Sequence, residues 1–375
     1  MLEGVHLTLL IGPAVPVPAP TPVIDALQAV KVTSGKDRSG FQLTFAVSKS
    51  SPLLNVMLPA GYFDPMITRV VIVATVNGFP HVLMDGVVTR QEVSPSNEPG
   101  ASTLTITGED LSVLMDVVEM PFMRYPAQPE VSRLYLILAK YAAFGIAPVV
   151  VPPLPPDTPM PTKEIPTHEG TDLNYIRTLA QQAGYVFYVE PGPLPLTSIA
   201  YFGPDVRIPI PQPALNVNMD ADTNVESMSF SLDGLAKKII VYTIMDPVTS
   251  KVPVPIPLPN ISALRPPLGA RLTPPAKVEF ADHGTAQSPT KAIQEMLGMT
   301  FNASNAISVS GSLDVLRYGH VLRSRMLVGV RGAGIAYDGL YYVDSVSHDI
   351  KRGEYKQTFE LSRDGLISLT PKVPV

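Results

Sequence analysis

The chain has 375 residues, enough for two or three domains with cores of their own, and it is apolar: 45% hydrophobic, 16% charged, without a single cysteine or tryptophan. Disulfides and thiolate metal sites are therefore excluded, and no apolar run is long enough to cross a bilayer before a proline interrupts it. The net charge is −5, and residues 1–120 carry the whole imbalance, six Lys and Arg against eleven Asp and Glu with 22 of each in the remainder, the opposite of a nucleic-acid binder's basic stripe.

The first twenty residues, MLEGVHLTLLIGPAVPVPAP, hold a short apolar core but place Glu3, and no Lys or Arg, ahead of it, which argues against a signal peptide. A cytoplasmic origin is the simplest expectation for such a cysteine-free chain. A strand is expected at His6–Leu10, then a Pro-rich loop through Pro22. Ala26–Thr33 and Phe41–Val47 read as strands joined by a polar turn. Thr68–Val76 and Phe79–Val88 flank Asn77-Gly78, a pair in which both residues tolerate positive φ, so they predict a tight hairpin. Ser102–Thr107 alternates and completes a β domain, and Gly108-Glu109-Asp110-Leu111 opens a short helix.

A longer helix is predicted at Val131–Phe144, and the Pro-rich run from Ile146 to Pro166 reads as an extended linker or strap. The stretch THEGTDLNYIRTLAQQAGYVFYVE is the clearest unit in the chain. Thr171 is a good N-cap, Asp172 complements the helix dipole, and Leu173, Ile176, Leu179, Ala180 and Ala183 share one face. Gly184 ends the helix in a left-handed residue, and Tyr185–Val189 then reads as a strand that opens a second sheet. Further strands are expected at Ile199–Phe202, Val225–Leu232 and Lys238–Tyr242. Asp246–Pro275 looks too poor in pattern to join a sheet. Ser288-Pro289 starts a helix running to about Met299. Strands resume at Ala306–Ser310, His320–Val330, Ile335–Ser347 and Tyr355–Leu361, linked by the Gly-containing turns 331–334 and 351–354.

An internal echo joins the halves. VLMDGVVTRQEV around Asp85-Gly86 resembles IAYDGLYYVDSV around Asp338-Gly339, and TLTITGEDL and QTFELSRDGL follow them. A duplicated β domain would produce this, and so would similar strand-turn-strand chemistry arising twice.

Catalytic patterns are not readable. His168-Glu169-Gly170 lacks the second histidine one turn on that a zinc helix needs, and reads as a loop leading into the helix cap. His6, His81, His168, His283, His320 and His348 are scattered singly; His320 and His348 sit in predicted strands and could meet across a sheet, but a satisfied structural role is the expectation for them. The Ser308–Ser312 run lacks the second glycine and following helix of a nucleophile elbow, and Gly329, Gly332 and Gly334 lie between strands, not ahead of a phosphate-binding helix. Glu109, Asp110 and Asp116 read as acids at the start of a helix. No catalytic, cofactor-binding or metal-binding residue is assigned, no cofactor is expected, and the chain is not expected to be an enzyme.

The segment EGTDLNYIRTLAQQAGYVFYVE resembles an element of VgrG proteins and of phage late-control-D and tail hub proteins: a capped helix, a glycine and an aromatic strand. YDGLYYVDSVSHDIKRGEYKQTFELSRDGL is similar to the end of the same hub domain, and the Asp85-Gly86-Val87-Val88 strand and the Gly108-Glu109-Asp110-Leu111 corner fit as well. The resemblance implies a mainly β fold with short helices, in which two tube-like β-barrel domains are joined by a helical and Pro-rich linker region. The expected boundaries are 1–118 for the first domain, 119–184 for the connecting region, 185–370 for the second domain with a Pro-rich insertion at about 246–280, and 371–375 as a tail. The implied function is a structural baseplate hub of a contractile injection device, assembled in the bacterial cytoplasm into a phage tail or related particle. Its implied partners are two further copies in a homotrimer, the hexameric ring of the tail tube protein, a separate spike protein and other baseplate components, with no specific nucleic-acid binding and no membrane insertion. The acidic first domain would then line the channel, or simply solvate the outer surface. The competing reading is a carbohydrate-binding or adhesin-like β module at a particle tip, which the absence of tryptophan weakens.

Overall fold

The computed structural model describes residues 4–36, 39–98, 101–153, 162, 165–207, 210–245, 253–257, 266–280 and 305–370. The expected helix at 288–299 lies outside these residues. The first part of the chain forms β1 (Val5–Pro13), β2 (Val17–Pro18), the short helix α1 (Thr21–Ala26), β3 (Leu27–Gly35), β4 (Ser39–Ala46), β5 (Thr68–Val76), β6 (Phe79–Ser94) and β7 (Thr103–Asp110). The middle forms α2 (Glu130–Ala139), β8 (Ile146–Val150), α3 (Asp172–Ala183), β9 (Val186–Pro191) and β10 (Ser198–Gly203). The last part forms β11 (Gln212–Asn216), β12 (Ser227–Leu232), β13 (Lys238–Met245), β14 (Pro253–Pro257), β15 (Gly269–Leu272), β16 (Lys277–Phe280), β17 (Ile307–Asp314), the short helix α4 (Val315–Tyr318), β18 (Leu327–Arg331), β19 (Gly339–Lys351), β20 (Glu354–Arg363) and β21 (Gly365–Ser368). The protein is mainly β with a few short helices.

Local chemistry accounts for the turns. Asn77 and Gly78 take φ of 50° and 85°, which bends β5 into β6 with Val76 opposite Phe79. Arg352-Gly353 turns β19 into β20 with Gly353 alone of the two at positive φ, 86°, and Lys351 facing Glu354. In α3 the Thr171 hydroxyl accepts from the Asn174 amide at 3.2 Å, and Gly184, at φ 66°, closes the last turn.

The strands of the first and last parts form one thirteen-stranded sheet, running β12-β17-β20-β19-β3-β4-β7-β6-β5-β1-β2, with β11 and β18 attached beside β19. The order repeats: β3-β4-β7-β6-β5-β1 in the first half matches β12-β17-β20-β19-β18-β11 in the second. One sense differs, since β1 is antiparallel to β5 and β11 parallel to β18. The equivalent strands include those of the sequence echo, β6 with β19 and β7 with β20. Both long strands carry a bulge, after Val88 in β6 and after Val343 in β19. Aligning the bulges shifts the match by two residues from the shared Asp-Gly. The halves are joined where β3 lies antiparallel on β19, from Ala29 opposite Lys351 to Gly35 opposite Ser345. Their core is common as well: Val30, Leu43, Phe45, Ile72 and Ile106 belong to one buried cluster with Leu313, Val343, Tyr355, Phe359 and Leu361.

The middle part has a second core, in which Leu134, Ile137 and Leu138 of α2 pack with Ile176 and Leu179 of α3 and with Phe187, Val189, Ala200 and Phe202. The strands expected at Tyr185–Val189 and Ile199–Phe202 do not open the sheet of the last part: they form, with β8, a separate three-stranded sheet in the order β8-β10-β9 whose residues pack on α2 and α3. The chain expected to run extended as a linker or strap at 146–166 begins as a paired strand: Ile146–Val150 pairs in parallel with β10, and Pro148 is tolerated because β8 is an edge among the described residues. Pro253–Pro257 and Gly269–Leu272 likewise pair, with β13 and β21, so 246–275 is not excluded from sheets. His320 lies before β18 and in no strand, because Gly319 at φ 78° turns the chain out of α4. Arg325 is where the three parts meet: its guanidinium stacks 4.0 Å over the Tyr188 ring, lies 3.8 Å from Glu190 and donates to the Gly35 carbonyl.

Candidate assembly surface

The residues that attracted attention for chemistry are each engaged in holding the fold. His168 is buried; its Nδ1 is hydrogen-bonded to the Tyr125 hydroxyl at 3.0 Å, its Nε2 lies 3.4 Å from Asp172, and its ring stacks on Tyr175 at 4.4 Å. Asp172 also takes Lys140 at 3.0 Å and the Tyr141 hydroxyl at 2.8 Å. Burial lowers the His168 pKa and pushes that of Tyr125 up to about 12. Glu169 points away and is exposed. This cluster ties the 120–125 segment to α2 and α3, and the imidazole Nε2 is buried beside Asp172 without a hydrogen bond.

His348 is likewise fully enclosed. Its Nδ1 meets the Tyr355 hydroxyl at 2.9 Å and the Gln357 amide at 3.2 Å, while Gln357 also clamps the backbone of Leu322. Burial, reinforced by Arg323, drives its pKa down to about 3. His320 does not meet it across a sheet but packs edge-on against Tyr318, and His81 accepts from Arg323 at 3.1 Å. Asp110 caps the turn Leu111–Asp116 by accepting from the Ser112 amide, and burial raises its pKa. Asp116 accepts from Thr171 at 2.6 Å, while Glu109 lies within β7 and does not open a helix. Gly332 is required by contact, since a Cβ there would fall 1.8 Å from the Val217 carbonyl. Among the described residues no three His, Asp or Glu side chains come together as metal ligands.

The serines singled out in sequence do share a surface. Ser310 and Ser312 of β17 line an open groove across β12, β17, β20 and β19 together with Ser227, Ser229, Ser345 and Ser347. Ser227 and Ser312 hydrogen-bond each other at 2.8 Å, and Ser345 donates to Glu360 at 3.2 Å. Glu360 is the one charged side chain among the residues lining the groove. A band of hydroxyls on one face of a sheet is a wettable lining.

What the sequence did not flag is the state of two strand edges. β6 runs past its pairing with β5, which ends at Val87, and Arg90–Ser94 keep only β7 as partner among the described residues. These five residues are exposed, including Val93 at 42%. β12 pairs with β17 on one side only, again among the described residues, and its Leu232 is 41% exposed. Apolar side chains on open edges are the sites natural sheets usually protect. For β12 the strand itself was expected, at Val225–Leu232, but nothing in TRQEVS, which follows the expected end of β6 at Val88, announces an unpaired edge.

No family model matches the chain, and no curated protein sequence matches it. Its fold does match solved structures. The tail protein from Neisseria meningitidis MC58 is similar over 97% of this chain and 98% of that one, with a TM-score of 0.61 at 12% identity. The prophage MuSo2 43 kDa tail protein from Shewanella oneidensis gives a TM-score of 0.58 at 12% identity, covering 96% and 99%. A chain of the lidded Francisella PdpA–VgrG complex gives 0.58 at 10% identity, with all of this chain covering 54% of that one. The expected likeness to phage tail and VgrG-type proteins therefore holds at the level of fold, from end to end of this chain.

Proposed function

We propose that this protein is a structural baseplate hub of a contractile injection device. Three chains would form a ring in which each contributes two tube-like β domains, the first in 1–118 and the second in 185–370 without β9 and β10, which go with the connecting region 119–184. Such a ring adapts the hexameric tail tube to a threefold spike carried by a separate protein, and lines the channel between them. The observation that carries this reading is the strand order that occurs twice in one chain, in a fold shared with phage tail proteins. Two equivalent units per chain are what a threefold object needs to present six similar positions.

A structural role also agrees with the rest of the surface. Phe79, Phe122 and Ile335 are 71%, 92% and 84% exposed, as anchors for neighbouring components would be. The hydroxyl-lined groove suits a channel wall that must not hold its cargo, and the acids of the first half would repel DNA passing it. Assembly would take place in the cytoplasm of a bacterium, and the product would be part of the particle.

The test is the molar mass of the purified protein by light scattering, with negative-stain class averages of the same sample. A trimeric ring with a central channel and near-sixfold outline is the expected result. A chain that stays monomeric with candidate tube and spike proteins present would overturn the reading.

A further inference from the structure

We infer that the prolines of β2, β8 and β14 close three sheet edges to any further strand, because they stand where an added strand would need a backbone donor. An edge closed in this way excludes an extended peptide or another sheet edge of any origin, whether or not the chain acts as a hub.

Each of these strands stands last in its sheet among the described residues. Backbone N–H groups point alternately to the two sides of a strand, so on an edge strand every second residue bonds inward and the others point out. The ladder of each strand fixes which are which. On β2 the Ala19 amide donates to the Leu9 carbonyl at 2.9 Å, and Pro18 stands opposite Leu10, so Val17 and Ala19 face β1 while Pro18 faces out. On β8 the Val151 amide donates to the Phe202 carbonyl at 2.8 Å, and the Gly145 carbonyl accepts from the Ser198 amide at 3.0 Å. The odd-numbered residues therefore face β10, and Pro148 faces out between Ile146 and Val150. On β14 the antiparallel ladder with β13 takes donors from both strands, and only Val254 and Ile256 can supply them. Pro253, Pro255 and Pro257 are then the outward set, and that side of the strand holds no N–H at all.

These edges are the ones in need of closing. The three strands read VP, IAPVV and PVPIP, without one charged residue, and Val17 and Val149 are 58% and 42% exposed. An apolar edge without charge is a template for strand addition, and natural sheets blunt such edges with charges, prolines, bulges or a covering segment. With charge absent, proline is left to do it. Its effect is twofold: the donor is missing, and the ring occupies the space of a neighbouring strand, which would lie about 4.8 Å away. β14 is the fullest case. Its outer side offers carbonyls alone, about 6.8 Å apart, whereas an added strand would need donors and acceptors from it in alternation.

Giving the donors back tests this in the full chain. P253T/P255T/P257T, P148T and P18T each return N–H groups to one edge, and P193T/P195T, in the exposed turn between β9 and β10, is the control. Sedimentation velocity over a concentration series, with thioflavin T fluorescence of the same samples, reads strand addition. Each edge variant is expected to form species larger than the parent's at a concentration at least tenfold lower, with a rise in dye fluorescence, while the control matches the parent. Behaviour of all three edge variants equal to the parent's would overturn the inference. Growth of the control to the same extent would overturn it as well, because the effect would then follow from losing a proline and not from its place on an edge. Circular dichroism checks the fold of each variant; if the triple variant does not keep it, the single changes P148T and P18T decide between the same two outcomes.

Discussion

Arg69 and Asp85 form the most enclosed ion pair of the first half, with two hydrogen bonds of 2.7 Å and side chains 5% and 0% exposed. An attraction in this setting is offset by the cost of drying both charges, so its strength shows only when one partner goes. Asp85→Ala strands the guanidinium and is expected to cost about 3–5 kcal/mol in denaturant unfolding, whereas replacing both residues with apolar ones of similar volume should cost far less. His348 gives a pH dependence with a definite sign. Its folded pKa, about 3, lies below the ordinary 6.5, so above pH 6.5 neither state takes up the proton and its full contribution is present. As pH falls from 6.5 toward 3 the unfolded chain binds a proton that the folded one refuses, and stability drops by roughly 1 kcal/mol per pH unit from this group. H348Q should therefore unfold in acid with a shallower slope between pH 6.5 and 4 than the parent. An identical slope would show that the imidazole is reached by water.

At the scale of single elements, α3 shows what a sequence announces plainly. Cap, dipole acid, apolar face and terminal glycine all lie within fourteen residues, and every one is where the pattern placed it. G184A forces a side chain into the left-handed region and should cost about 1–2 kcal/mol in thermal or denaturant melts. T171A, which also loses the bond to Asp116, should cost about 1 kcal/mol. The Asn77-Gly78 and Arg352-Gly353 turns were legible for the same reason, that the deciding chemistry is local. β8 and β14 were not, because Pro148 and the alternating prolines of β14 argue against strands unless one knows that each lies at an edge. The histidines illustrate the same limit. That His348 is a sealed core residue and His320 a turn residue depends on Tyr355, Gln357 and the short helix α4, none of which changes the local pattern around either.

For the molecule as a whole, the decisive pairing joins residues more than 300 positions apart, β3 on β19, and no local pattern encodes it. The sequence did carry its shadow in the Asp-Gly echo, which pointed to the right strands two residues out of step. One consequence is that the halves should not unfold separately. A fragment ending at residue 118 keeps Val30 and Val32 but loses the strand and the core residues that cover them. It is expected to show no cooperative melting transition, while the full chain loses signals from both halves together. A stable, cooperatively folded fragment would mean that the junction contributes little. The tether has a further bearing on how assembly responds to supply. If six separate units had to meet, the yield of rings would fall with the sixth power of their concentration. In the ring proposed above, every second junction would close inside one polypeptide, where the partner strand is held at an effective concentration on the order of millimolar. For that proposed three-chain ring the dependence would relax to the cube, so complete rings would form from far scarcer protein, and incomplete ones with an odd number of units would not arise.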